Sequence, residues 1–142
     1  MGTSAPLVGR GLDLARVAVV EQAGAVVTIS DVRALASQLP RSYEAMVRDR
    51  VKFRVGRIVY LAFSRDEVLM GFAFPKDERE ALVAADPGKF LMPCAADLRY
   101  NWVRVRLGAI DLAEMAELVT DAWRMVVPKS VAGAYFGSTP ST

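Results

Sequence analysis

The stretch 99–127, RYNWVRVRLGAIDLAEMAELVTDAWRMVV, constrains the fold more than any other part of the chain. It reads as a strand that runs directly into a long helix. From Asn101 to Leu107 the residues alternate, with Trp102, Arg104 and Arg106 on one face and Val103, Val105 and Leu107 on the other. A period of two with one apolar side is the pattern of a half-buried strand. Gly108 breaks the alternation, and Asp111 then offers an N-cap carboxylate with Glu114 at capping-box spacing. Leu112, Met115, Val119, Ala122, Trp123 and Val126 follow at helical spacing, and Pro128 stops the run. A helix over 112–127 is expected, with Trp123 in the core.

Upstream, Thr28 and Asp31 have capping-box spacing ahead of the apolar stripe Val32, Leu35, Ala36 and Leu39, which predicts a helix over 30–39 closed by Pro40. A polar loop is expected over 41–49. Val51, Phe53 and Val55 alternate with Lys52 and Arg54, Gly56-Arg57 is a tight-turn candidate, and 58–63 is rich in β-formers. After a second turn at 64–67 comes a third strand over 68–74, in which Gly71 marks a bulge or a point of close approach. Three strands joined by short turns form an antiparallel meander. Pro75, Asp77, Glu78 and Glu80 suit the start of a helix over 77–85, and a short strand over 90–92 is expected before Pro93.

The fold class is therefore α+β, an antiparallel sheet with helices packed on it, in the order α-β-β-β-α-β-β-α. The expected boundaries are an N-terminal extension over 1–27, a domain over 28–134 and a tail over 135–142. Within the extension, 12–21 suits a short helix and 17–20 a short strand. Leu14–Val20 is interrupted by Arg16 and flanked by Asp13 and Glu21, which argues against a signal peptide.

The chain has no histidine, so it contains no Ser-His triad, Cys-His pair or His-ligated metal site. Its single cysteine, Cys94, forms no intrachain disulfide or zinc cluster, and a cytoplasmic, reducing location is expected. No apolar run reaches the ~20 residues of a membrane span. Neither a cofactor nor a metal is indicated, and no constellation supports an enzyme.

Net charge is only +2, but its distribution is uneven. Arg41, Arg48, Arg50, Lys52, Arg54 and Arg57 stand against Glu44 and Asp49, while the helices carry most of the acids. Lys52, Arg54, Arg104 and Arg106 alternate outward on two strands. If those strands neighbour each other they form a cationic stripe for a phosphate backbone, with Trp102 available for stacking. The wider candidate set is Arg48, Arg50, Lys52, Arg54, Arg57, Trp102, Arg104 and Arg106. The same pattern also describes a solvated sheet face whose cations discourage edge-to-edge aggregation.

The chain resembles the MmcQ/YjbR family over roughly residues 28–134. The resemblance rests on Leu39-Pro40 with Glu44, Val51-Lys52-Phe53-Arg54-Val55-Gly56-Arg57, Asp86-Pro87-Gly88-Lys89-Phe90, Asn101-Trp102-Val103-Arg104-Val105-Arg106-Leu107 and Asp121-Ala122-Trp123-Arg124, in that order. One departure is Arg48-Asp49-Arg50, where many members carry a Trp-Gly pair. The resemblance implies a CyaY-like α+β fold likened to double-wing modules and DNA binding as the function, and it supplies no catalytic residues. The alternative is a small protein-interaction or adaptor module with no nucleic-acid role.

Overall fold

A capping box opens the described structure, a computed structural model that describes residues 26–137. The Thr28 hydroxyl accepts the Asp31 backbone N–H, and the Asp31 carboxylate accepts the Thr28 backbone N–H at 2.9 Å. These bonds start α1 (Ile29–Ala36). Val27 and Val32, flanking the cap at the positions of a hydrophobic staple, are both buried in the core. Val27 therefore belongs to the domain, one residue before the boundary expected from the sequence. The helix or strand expected within 12–21 lies outside the described residues.

The element order is α1, β1 (Ser42–Val47), β2 (Arg50–Val55), β3 (Ile58–Phe63), β4 (Leu69–Ala73), α2 (Arg79–Ala85), β5 (Phe90–Leu91), β6 (Trp102–Arg106), α3 (Leu112–Arg124) and α4 (Lys129–Gly137), with single 3-10 turns over Ala95–Asp97 and Leu107–Ala109. The six strands form one antiparallel sheet in the order β1-β2-β3-β4-β6-β5. The α+β class and the antiparallel sheet hold, but the order contains one strand and one helix more than expected.

The extra strand is β1, which occupies the expected polar loop. Pro40 and Arg41 turn the chain into it: Ser42 N–H donates to Leu39 O at 3.1 Å, and Arg41 takes φ +67°. Proline followed by a positive φ is the pattern of a type II turn. Arg48 and Asp49 then adopt φ of +52° and +68°, a two-residue I′-like hairpin that pairs β1 with β2 from Ser42↔Val55 to Val47↔Arg50. Asn and Gly are the usual residues in that turn, which is why the sequence conceals it.

The extra helix is α4, which runs into the stretch expected as a tail over 135–142. Tyr135 and Phe136 set their rings at 5.2 and 6.3 Å from that of Trp123. The domain therefore runs past residue 134. Trp123 is fully buried, as expected, and its indole N–H donates to Pro40 O at 2.8 Å, tying α3 to the turn before β1. Leu112 is not part of the buried stripe: at the first position of α3 it is 56% exposed. Among the described residues no helix is long and apolar enough to cross a membrane.

A bulge sorts the two faces of the sheet. Phe53 pairs with Leu61 but Arg54 pairs with Val59, leaving Tyr60 as the extra residue. Tyr60 and Leu61 are consequently both buried, and the Tyr60 hydroxyl bonds the Ser42 hydroxyl at 2.5 Å. Phe53, Leu61, Phe63, Phe72, Val103 and Val105 face the helices in one core. Beside α1, the Arg33 guanidinium forks onto Glu44 of β1 at 2.7 and 2.9 Å, and that hydrogen bond holds the carboxyl below its ordinary range.

Candidate nucleic-acid interface

The sheet register places the cations of β2 and β6 on one face. Lys52 lies opposite Ala62, Ala62 opposite Gly71, and Gly71 opposite Arg104. Three interstrand steps of ~4.8 Å separate the two charged strands. Between them the floor is made of the small residues Ala62, Gly71 and Ala73. The result is a groove of about 910 Å³.

Of the eight candidate residues, Arg50, Lys52, Arg57, Trp102 and Arg104 line this groove together. The other three do not. Arg48 is exposed at the tip of the β1–β2 hairpin, and Arg106 points out beyond the lining. Arg54 is half-buried, and its Nε has no hydrogen-bond partner among the described residues. Of the expected stripe, Lys52 and Arg104 share the groove with Arg50 and Arg57, whereas Arg54 and Arg106 are not among its lining residues.

The Trp102 indole packs against the strand beside it. A Cβ on Gly71 would fall 2.6 Å from the indole Nε1 and 2.7 Å from Cζ2. Gly71 is therefore the close-approach point anticipated from the sequence; the sheet's bulge is in the β2–β3 pair instead. The Nε1–Cε2–Cζ2 edge of the indole lies against Gly71, and the residue is only half-buried beside the groove.

The segment 94–101 forms a wall of the groove through Cys94, Asp97, Tyr100 and Asn101. Two arginines pin it. Arg104 donates from Nε and Nη2 to Met92 O at 3.1 and 2.8 Å. Arg79 of α2, only 7% exposed, donates from Nη1 to Tyr100 O at 2.9 Å and Trp102 O at 3.3 Å, and from Nη2 to Leu98 O. A planar guanidinium with five donors suits three convergent carbonyls. Sequence reasoning missed Arg79 because the acids around it marked an exposed helix start. Lys76 completes the anchorage, its backbone N–H bonding Asn101 Oδ1 at 3.0 Å.

Charge in the groove is nearly unopposed. Among the described residues lining it, Asp97 is the one acid, and it accepts from the Cys94 thiol at 3.2 Å. Arg50, Lys52, Arg57 and Arg104 take part in no ion pair among the described residues. Paired cations lie elsewhere: Arg33 with Glu44, Lys89 with Glu114 and Arg124 with Asp121. The hydrogen bond to Glu114 raises the Lys89 pKa. Met125 and Val126, beyond the last turn of α3, also border the groove.

Fold and site together define a small α+β domain whose sheet is covered by helices on one face and carries an open basic groove on the other. The chain belongs to the YjbR family, whose model matches residues 37–125. Uncharacterized proteins of Mycobacterium bovis and Mycobacterium tuberculosis are 36% identical to it over 59 residues, 42% of this chain and 45% of theirs. The matched segment thus spans less than half the length of these relatives. The crystal structure of a Deinococcus radiodurans protein carrying a DUF419 domain superposes with a TM-score of 0.64 at 21% identity, over 79% of this chain and 89% of that one. That likeness concerns the fold.

Proposed function

We propose that this YjbR-family protein binds DNA without catalysing a reaction on it, holding the phosphate backbone in the groove on the open sheet face. The observation that carries the reading is the convergence of Arg50, Lys52, Arg57 and Arg104 on one concavity with a single acid, Asp97. Phosphate neutralisation by such cations releases counterions, so affinity falls steeply with salt. The lone, exposed Cys94 fits a cytoplasmic setting for this role. The test is fluorescence anisotropy of labelled DNA at stepped salt concentrations. The slope of log K against log salt should be roughly −0.7 to −0.9 per phosphate contact, and Arg50→Gln/Lys52→Gln should flatten it by about two contacts. No binding at low salt would remove the reading.

One observation favours a second reading, a protein-interaction module. Strand β1 is an edge of the sheet, with Met46 66% and Tyr43 45% exposed along it. An uncovered edge with apolar side chains can accept an added strand from a partner. Such binding would be far less sensitive to salt, which separates the two readings in one titration.

A further inference from the structure

We infer that the groove takes single-stranded DNA, with one base stacked on the Trp102 indole. The inference rests on the DNA-binding reading and sharpens it. Its geometry has three parts. The indole is held in place along its Nε1–Cζ2 edge, because Gly71 leaves room for it and for no side chain. Its exposure is into the groove, between the β2 cations and Arg104. The residues between the two charged strands include Ala62, Gly71 and Ala73, whose small side chains leave width for a planar ring.

A basic groove that tracks a backbone and an aromatic platform that takes a base are the two components of sequence-tolerant single-strand binding. A duplex keeps its bases stacked on one another and has no free π-face to offer the indole. The longest helix among the described residues, α3, carries Glu114, Glu117 and Asp121, and no basic recognition helix for a major groove is found among the described residues. Among the neutral polar side chains of the lining, the Ser64 hydroxyl donates to Asp66, the Asn101 carboxamide oxygen accepts from Lys76 N–H and the Tyr100 hydroxyl accepts from Arg99. The groove's cations and its aromatic read phosphate and base stack, neither of which calls for a 2′-hydroxyl.

The chain's two tryptophans make the test direct. Trp123 is fully buried, while Trp102 is half-buried in the groove. Oligothymidine, oligouridine and a mixed-sequence hairpin duplex are titrated into the full chain at low salt, followed by anisotropy of the labelled nucleic acid and by tryptophan emission. Oligothymidine should bind more tightly than the duplex and quench the wild-type emission. Trp102→Phe should keep most of the affinity and lose the quenching, because only Trp123 remains to report. Trp102→Ala should weaken oligothymidine binding by roughly 5- to 150-fold while leaving the salt slope unchanged, as expected for a lost stack and retained phosphate contacts. Duplex bound as tightly as oligothymidine, or oligothymidine bound without quenching, overturns the inference and leaves the DNA reading standing. Oligouridine bound more tightly than oligothymidine overturns the assignment to DNA. Binding of none of the three removes both.

Discussion

The indole of Trp102 occupies the space that a side chain on Gly71 would need, with Nε1 2.6 Å from the position of a Cβ there. The contact joins β4 to β6 and sets the orientation of the aromatic residue in the groove. Gly71→Ala should displace the indole or strain the strand pair, costing about 1–3 kcal/mol as overpacking does. Trp102→Ala in the same background should relieve much of that loss, giving a coupling above ~0.5 kcal/mol in a double-mutant cycle. Denaturant unfolding of the four variants measures it. Additive losses would mean that the two residues do not share that space.

Much of this fold is written locally. Thr28/Asp31 forms the full capping box its spacing suggests, while Asp111 caps α3 on Glu114 N–H and the Glu114 carboxylate turns to Lys89 instead. The alternation over 51–55 and 102–106 survives as alternating burial. What could not be read depends on partners distant in sequence. β1 is a strand because β2 pairs with it across a hairpin whose residues, Arg48 and Asp49, carry weak turn signal. The segment 129–137, KSVAGAYFG, is rich in small residues and has little helical amphipathicity; it is ordered by two aromatic rings against Trp123. For the site, sequence supplied the outward cations but not the register. Arg50 and Arg57 line the groove while Arg48 and Arg106 do not, a distinction that depends on how the strands are placed in the sheet rather than on alternation along any one of them.

The hairpin itself offers a way to gain stability. Arg48 and Asp49 sit in left-handed backbone, which costs a non-glycine residue roughly 1–2 kcal/mol, less for Asp than for Arg. Arg48→Asn/Asp49→Gly supplies the preferred I′ residues and should raise stability by about 1 kcal/mol. Because Arg48 is outside the groove, the salt slope of DNA binding should not change. Thermal unfolding and the anisotropy titration check the two halves separately.

Arg79 should matter beyond its charge. Arg79→Met keeps the aliphatic stem but leaves the carbonyls of Leu98, Tyr100 and Trp102 without their donor, at a cost of about 3 kcal/mol. Arg79→Lys should recover only part, since a compact ammonium cannot span all three. Hydrogen exchange over 94–101 should accelerate in both. Unchanged exchange in Arg79→Met would show that the wall is held by Lys76 and Arg104 alone.

Tyr60 predicts how the fold responds to alkali. Burial raises its phenol pKa, with the Ser42 hydrogen bond opposing. The raised value means the folded chain holds the proton longer than the unfolded chain. The contribution is fully present below the ordinary tyrosine pKa of ~10 and is lost as pH rises from there through the folded value. Over that interval one proton contributes a slope of about 1.4 kcal/mol per pH unit. Tyr60→Phe should be less stable at neutral pH, because it leaves the Ser42 hydroxyl without this partner, yet should lose less stability on going to alkaline pH. Parallel stability–pH curves for the two proteins would count against a buried, protonated Tyr60.

The two arginines of β6 should behave differently although they share a face. Arg106 is exposed and lies outside the groove, so Arg106→Gln should alter stability by no more than ~0.5 kcal/mol and leave the salt slope within about half a contact of wild type. Arg104 has two roles. Its fork onto Met92 O ties the start of the 92–102 segment to β6, and its charge faces the groove. Arg104→Gln should therefore cost about 1–3 kcal/mol, the range for losing a charged donor to a half-buried carbonyl, and also flatten the salt slope by roughly one contact. Arg104→Lys should restore most of the slope but little of the stability, because an ammonium keeps the charge and loses the planar fork. Chemical denaturation and salt-stepped anisotropy on the same three preparations decide it. A slope that follows Arg106 and ignores Arg104 would move the phosphate path off the groove to the outer edge of β6.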